Sequence, residues 1–336
     1  MPARERLTVA VTGPTGEIGR SLLAALDRSA GVERVIGMAR RPFDPSAHGY
    51  RKVTYHRGDV LDPVAVASLL AEADVLVHLA FIIMGSPTQT RAVNLVGSRN
   101  VFAACTAAKV KRLVYASSVA AYGFRRDNPR PLTEDVPARG SRGHYYSAQK
   151  AEVEQVLADT LAGSDTEAYV FRPCIVAGPD APALINNLPY TQISRRLPPS
   201  LSGLLGALPL LRPVLPDPGV PLQLVHHDDV ASAMLAAVLA KGPPGVYNLA
   251  GAGTVSISQI ASELGWHAIK IPHFMVDATA QAVASMPLLP AQMRWIQAMR
   301  EPVVMDTTRA RRELHWRPKH DALATLREMI AAMNDD

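Results

Sequence analysis

Tyr146 and Lys150 stand four residues apart in Tyr146-Ser-Ala-Gln-Lys150, a spacing that puts both side chains on one face of a helix, one turn apart. An ammonium buried or half-buried beside a phenol favours tyrosinate and lowers a pKa that is about 10 in water. Tyr146 then becomes an acid–base group usable near neutrality. The same spacing also describes an ordinary pair on a helix surface. Tyr145 is the decoy, because its partner at this spacing is Gln149. Ser118 lies in YASSVAAYG, residues 115–123, where a strand runs out into a turn. A hydroxyl at the carboxyl end of a parallel strand points into the crevice where such sheets bind ligands, so Ser118 suits a substrate oxygen. It equally suits a serine that bonds the backbone of the next turn.

A second set of residues suits a dinucleotide. The apolar run LTVAVT (7–12) leads into TGPTGEIG, which places Thr12, Gly13, Gly16 and Gly19 in a T-G-x-x-G-x-x-G spacing ahead of an amphipathic helix expected over 17–28. The glycines serve a tight turn, close approach of backbone to a pyrophosphate, and packing of helix on strand. The turn Gly13, Thr15, Gly16, Glu17, Ile18 and Gly19 is therefore expected to hold the pyrophosphate at the helix N-terminus. At the end of the second strand the chain reads Ala39-Arg40-Arg41-Pro42, with no carboxylate for the adenosine ribose hydroxyls. Arg40 and Arg41 suit a 2′-phosphate, which favours NADP, with NAD as the alternative. Two solvated arginines are the other reading. After the third strand come Asp59 and Val60, where a carboxylate can accept the adenine amino group.

These residues need a scaffold, and the chain spells one out. Runs at 7–12, 34–39, 52–56, 74–80, 112–118 and 168–173 alternate with helix-like segments at 17–28, 63–72, 88–109 and 144–161. Alternation of this kind predicts βαβ units in an α/β fold, a Rossmann-type doubly wound parallel sheet with a smaller, mainly α C-terminal substrate-binding region. The dinucleotide domain is expected over 1–175 and again over 222–250, and the substrate-binding region over 176–221 and 251–336. Residues 179–222 are crowded with Pro and Leu and carry no acid between Asp180 and Asp217, which suits an apolar lid. The sheet is expected to resume at QLVHH (223–227), followed by a helix capped by Asp228 or Asp229. A strand at 245–251, a helix from near Ser256 and a C-terminal helix after 306–314 complete the chain.

Several function classes are excluded on composition. Of 336 residues, 48% are hydrophobic and 19% charged, and 35 Lys plus Arg against 30 Asp plus Glu give a diffuse +5. That excess predicts no nucleic-acid partner. The apolar stretch 201–216 is broken by internal prolines and Arg212, so no membrane span is expected. The N-terminus lacks the order of a secretory signal, and two cysteines make no disulfide framework, so a reducing, cytoplasmic home is expected. His226-His227-Asp228-Asp229 looks like a ligand cluster, yet neighbours in a strand face opposite sides, and no metal is expected. Cys174 has no general base near it in sequence and reads as a packed thiol.

In order, these motifs resemble the extended short-chain dehydrogenase/reductase superfamily, which includes the NAD-dependent epimerase/dehydratase family. The match runs through TGPTGEIG, GDV at 58–60, HLAF at 78–81, NLVGSRNVFAAC at 94–105, YASSVAAYG, YSAQK, RPCIVAGP at 172–179 and VHHDDVA at 225–231. The resemblance implies Ser118, Tyr146 and Lys150 as catalytic residues, with Tyr146 moving the proton and Lys150 also binding the nicotinamide ribose. It implies cofactor contacts from Asp59, the main chain at Leu79 and Ala80, Asn94, and the peptide around Arg172 and Pro173. It also implies a homodimer through the helices 88–109 and 144–161, with Val153, Val156 and Leu157 as contact candidates. The sugar-nucleotide branch carries an Arg-Asp pair where this chain has PGVPLQLVHHDD, and Phe81 replaces its usual alanine. The expected function is therefore NADP-dependent hydride transfer to or from a carbonyl or alcohol on a largely apolar small molecule. A nucleotide-sugar epimerase or dehydratase holding NAD is the alternative, and a non-catalytic cofactor sensor is a third.

Overall fold

The computed structural model describes residues 6–141, 143–186, 191, 213–272 and 301–335. Strands β1 (Leu7–Thr12), β2 (Val32–Ala39), β3 (Val53–Arg57), β4 (Val75–His78), β5 (Arg112–Ala116) and β6 (Glu167–Pro173) belong to one sheet. Beyond them lie β7 (Ile175–Ala177), β8 (Val214–Asp217), β9 (Leu224–His226), β10 (Gly245–Leu249) and β11 (His267–Lys270). The main sheet has seven parallel strands in the order β10-β6-β5-β4-β1-β2-β3. Every residue of β4 is buried, and all of β1 but Thr8, because helices cover both faces. Val and Leu dominate these two strands for that reason.

Helices α1 (Glu17–Arg28), α2 (Pro63–Leu70), α3 (Pro87–Arg91), α4 (Ser98–Ala107) and α5 (Tyr145–Leu161) connect the first strands. After them come α6 (Ala183–Asn186), α7 (His227–Val238), α8 (Ile257–Glu263), α9 (Thr308–Glu313) and α10 (Ala322–Asp335). Leu22, Leu23 and Leu26 of α1 share one core with Val230 and Met234 of α7. Val66, Phe102 and Val153, from α2, α4 and α5, build the core on the other face. Between α3 and α4 the residues Ala92–Gly97 form a π-helical turn, a rare geometry that recurs at functional sites. The strand order reverses at β1, whose neighbours are β2 and β4, and the ligand crevice of such sheets opens at that switch point.

Three expectations need correction. QLVHH does not return to the main sheet: β9 pairs with β7 in a separate two-stranded unit, and β10 completes the main sheet. Helix α7 starts at His227, capped by the His226 ring, and Asp229 instead accepts hydrogen bonds from the backbone of Lys319 and His320. Val153 and Leu157 are 0% and 2% exposed inside their own chain, and Val156 packs on the same core. Val153 and Leu157 face the sheet and are not available to a second subunit, whereas Val156 is only partly buried. The strands β7, β8 and β11 were not legible. Most of the apolar segment expected as a lid, 187–190 and 192–212, lies outside the described residues.

Candidate active site

Helix α5 begins where the His144 side chain accepts the Ser147 N–H, and the helical period then turns Tyr146 and Lys150 inward together. Tyr146 is 7% and Lys150 3% exposed. Ser118 leaves the end of β5, and its side chain hydrogen-bonds that of Tyr146. The three groups expected to act together therefore meet at the carboxyl end of the sheet. Ser118 also caps the turn that follows, since its Oγ accepts the Ala120 N–H at 3.2 Å.

The electrostatics differ from the expectation. Burial pushes the Tyr146 hydroxyl up to about 12, against a smaller lowering by the Ser118 bond. Burial also pulls Lys150 down to about 7, with Glu154 opposing. Lys150 Nζ donates to the Ala116 carbonyl at 2.7 Å and lies 3.6 Å from the centre of the Phe81 ring. It is 5.9 Å from the centre of the Tyr146 ring. Loss of water around both groups outweighs a cation that is committed elsewhere. Burial therefore favours the undissociated phenol of Tyr146 over a tyrosinate.

The crevice fits a dinucleotide. Gly13 has φ +73, and a Cβ there would stand 2.8 Å from the Ala80 nitrogen, so the first turn and the end of β4 touch through bare backbone. Gly16 caps α1 with no side-chain bond to the helix N–H groups, and a Cβ there would meet nothing nearer than Gly13 oxygen at 3.5 Å. Among the described residues nothing requires a glycine at 16, whereas close approach of a phosphate to the backbone would. Thr15 and Glu17 are half-buried beside it, Ile18 packs on the core, and Gly19 lies in the first turn of α1. Burial raises Glu17 above the usual carboxylate range, and the Ala183 N–H opposes this. Arg40 and Arg41 are exposed beyond β2, and among the described residues neither guanidinium has an ion pair or hydrogen bond. Arg57, at the end of β3, donates to the Arg40 carbonyl at 3.0 Å and adds a third cation that the sequence did not flag.

The remaining expected contacts sort differently. Asp59 accepts the Leu61 N–H at 3.0 Å, and Val60 is buried with its carbonyl bonded by Asn100. Leu79 and Ala80 line the crevice beside β1, where the Leu79 N–H bonds the Thr12 carbonyl. Asn94 sits in the π-helical turn, fully buried. Its amide accepts the Ile82 N–H, donates to the Ile82 carbonyl and donates to Gln149. With its amide so engaged, Asn94 acts on the site by holding the segment that carries Phe81. Tyr145 holds the same segment through the Ile83 carbonyl at 2.7 Å. Pro173 ends β6, buried, and Arg172 pairs with Glu154 at 2.5 Å. Glu154 stands one turn beyond Lys150, and it was missed because its partners, Ser117 just past β5 and Arg172 of β6, come from distant parts of the chain. The thiol of Cys174 is buried and pushed well up, which fits a packed side chain.

A Rossmann crevice that fits a dinucleotide, with a serine, a tyrosine and a lysine at the sheet's carboxyl end, defines a nicotinamide-dependent oxidoreductase or epimerase. The chain belongs to the NAD-dependent epimerase/dehydratase family, whose model matches residues 9–250. An uncharacterized protein of Mycobacterium tuberculosis is 28% identical over 322 residues, covering 93% of this chain and 80% of that one. The 2-alkyl-3-oxoalkanoate reductase of Shewanella oneidensis is 32% identical over 184 residues, 52% of this chain and 46% of its own length. Among solved structures, MoeE5 in complex with UDP-glucuronic acid and NAD has the same fold, with a TM-score of 0.71 at 20% identity over 98% of this chain and 99% of that one. No helix among the described residues is long and apolar enough to cross a membrane.

Proposed function

We propose that the protein is an NADP-dependent reductase of a carbonyl group on a largely apolar small molecule. The observation that carries this reading is Tyr146 itself: it is buried at the carboxyl end of the sheet and bonded to Ser118, and burial raises its pKa, which favours the undissociated phenol. Carbonyl reduction needs a proton donor where the oxygen gains charge, and an undissociated phenol there is that donor. Ser118 orients the oxygen, and Tyr146 gives it the proton. Lys150 binds the ribose of the cofactor and, when charged, steadies the phenolate left behind. The nicotinamide ring, when bound, supplies the hydride.

Arg40 and Arg41, with Arg57 beside them, support NADP over NAD because a 2′-phosphate would find the Arg40 and Arg41 guanidinium groups without an ion pair among the described residues. The apolar side chains at Phe81, Ile82 and Ile83 support an apolar substrate, as does the name of the Shewanella relative. Segments 176–221 and 251–336 form the substrate side in this reading. The protein works as a homodimer in a reducing compartment, through outer faces of α4 and α5 that leave Val96 exposed beside them. The free, buried Cys105 and Cys174 suit that compartment.

The test is a turnover screen of 2-alkyl-3-oxoalkanoates and UDP-sugars with NADPH and NADH. Net NADPH consumption with an oxoalkanoate is the expected outcome. Conversion of a UDP-sugar with no net consumption would replace the reductase by the epimerase reading.

A further inference from the structure

Tyr55 and Arg57 stand two residues apart in β3, so the strand period puts both side chains on one face of the sheet. Their register partners in β2 are Gly37 and Ala39. A Cβ on Gly37 would stand 3.1 Å from Pro14 Cγ and 3.6 Å from Tyr55 Cδ2, so these two side chains close over bare backbone beside the glycine-rich turn. The Tyr55 ring is half-buried there, and Phe43, from the loop after β2, meets it edge-on at 5.5 Å.

From that position the Tyr55 hydroxyl reaches the end of β2. It donates to the Ala39 carbonyl at 2.7 Å and also meets the Arg41 carbonyl, one proton serving both acceptors. Arg57 Nε donates to the carbonyl between them, that of Arg40, at 3.0 Å. Two side chains of the neighbouring strand thus hold the carbonyls of 39, 40 and 41 in succession. Where a chain leaves a sheet for a surface loop, water ordinarily takes that place. The ties fix the backbone that carries the Arg40 and Arg41 side chains, while both residues stay exposed.

We propose that Tyr55 and Arg57 are positioning residues that set the cofactor preference, holding the Arg40-Arg41 bend in the geometry that receives the 2′-phosphate of NADP. This rests on the NADP reading above. The effect is preorganisation: a phosphate that met an untied bend would have to order the backbone at both arginines on binding. A competent fraction below one raises the apparent Kd in proportion. NAD carries a hydroxyl where NADP carries the phosphate, so its binding depends far less on where the two guanidinium groups stand.

The experiment measures Kd for NADPH and for NADH by fluorescence titration of full-length wild type, Tyr55→Phe and Arg57→Gln, with circular dichroism as the check on folding. Tyr55→Phe removes the ties at 39 and 41, keeps every charge and keeps the ring against Phe43. Loss of such a tie should raise the NADPH Kd about three- to tenfold. The NADH Kd should change less than about twofold. Arg57→Gln removes the third tie together with a charge and should weaken NADPH at least as much, with the same selectivity. If Tyr55→Phe does not fold, the same two ratios in Arg57→Gln decide. A wild type that prefers NADPH, with a folded variant that keeps that preference or weakens both cofactors alike, overturns the positioning role and leaves the NADP reading standing. A wild type that binds NADH as tightly as NADPH overturns the NADP reading and this inference with it.

Discussion

Lys150 Nζ stands 3.6 Å from the centre of the Phe81 ring, nearer than it stands to the ring of its expected partner Tyr146, at 5.9 Å. Phe81 is therefore a positioning residue for the lysine, and its ring helps to keep water away. Two effects of removing it compete. The lost cation–π contact favours neutral lysine by about 2 kcal/mol at most, whereas admitted water favours the charged form. Burial has moved Lys150 from 10.5 to about 7, a larger effect at about 1.4 kcal/mol per pKa unit. Phe81→Ala should thus raise the Lys150 pKa. The pH profile of kcat/KM should move alkaline with it, and a profile unchanged or moved acidic would assign the low pKa to other neighbours.

Arg40 should matter for one cofactor only. A charge-assisted pair to a 2′-phosphate is worth about 1.5–3 kcal/mol, roughly one to two orders of magnitude in KM. Arg40→Ala should raise KM for NADPH by that factor, leave KM for NADH nearly unchanged and alter kcat little. Equal weakening of both cofactors would place the 2′-phosphate elsewhere.

His78 gives an acid-stability prediction. It is 1% exposed, sits between Thr12 Oγ1 at 2.7 Å and Ser98 Oγ at 3.0 Å, and burial lowers it from 6.5 to about 3. The unfolded chain binds this proton between those values and the folded one does not, so stability falls as pH drops through that window. Melting temperatures of wild type and His78→Asn, compared from neutral pH to about pH 4, should show a shallower loss in the variant. Parallel curves would mean that His78 does not contribute.

Glu154 is the carboxylate that neutralises Arg172, which is 4% exposed and lies 4.3 Å from the Tyr122 ring. Breaking a buried pair from one side leaves a charge without compensation and costs about 3–5 kcal/mol. Glu154→Gln should lower the unfolding free energy by about that much, measured by urea titration. A loss near zero would show that water reaches Arg172.

What could be read from the sequence was local. The glycine turn, the Tyr146–Lys150 spacing, Ser118 and Arg40 each occupy a short window whose strand or helix is set by neighbouring residues. The parallel, doubly wound sheet followed from the alternation of strands with helices. What could not be read depends on contacts between distant parts of the chain: Phe81 on Lys150, Asn94 on Ile82, and Glu154 on Arg172. The expected lowering of the Tyr146 pKa failed for the same reason, since spacing fixes the face of a helix and not what else the lysine touches. Val153 and Leu157 were misassigned because α5 packs one apolar face on the sheet, and periodicity alone does not say which face meets a partner.

The most direct measurement is NADPH oxidation by wild type and Tyr146→Phe with a 2-alkyl-3-oxoalkanoate, alongside NADPH binding by fluorescence. Loss of a positioned proton donor should lower kcat by roughly 10²–10⁴-fold, with the NADPH Kd little changed. Equal turnover by the variant would show that Tyr146 is not the proton donor and would contradict the proposed mechanism.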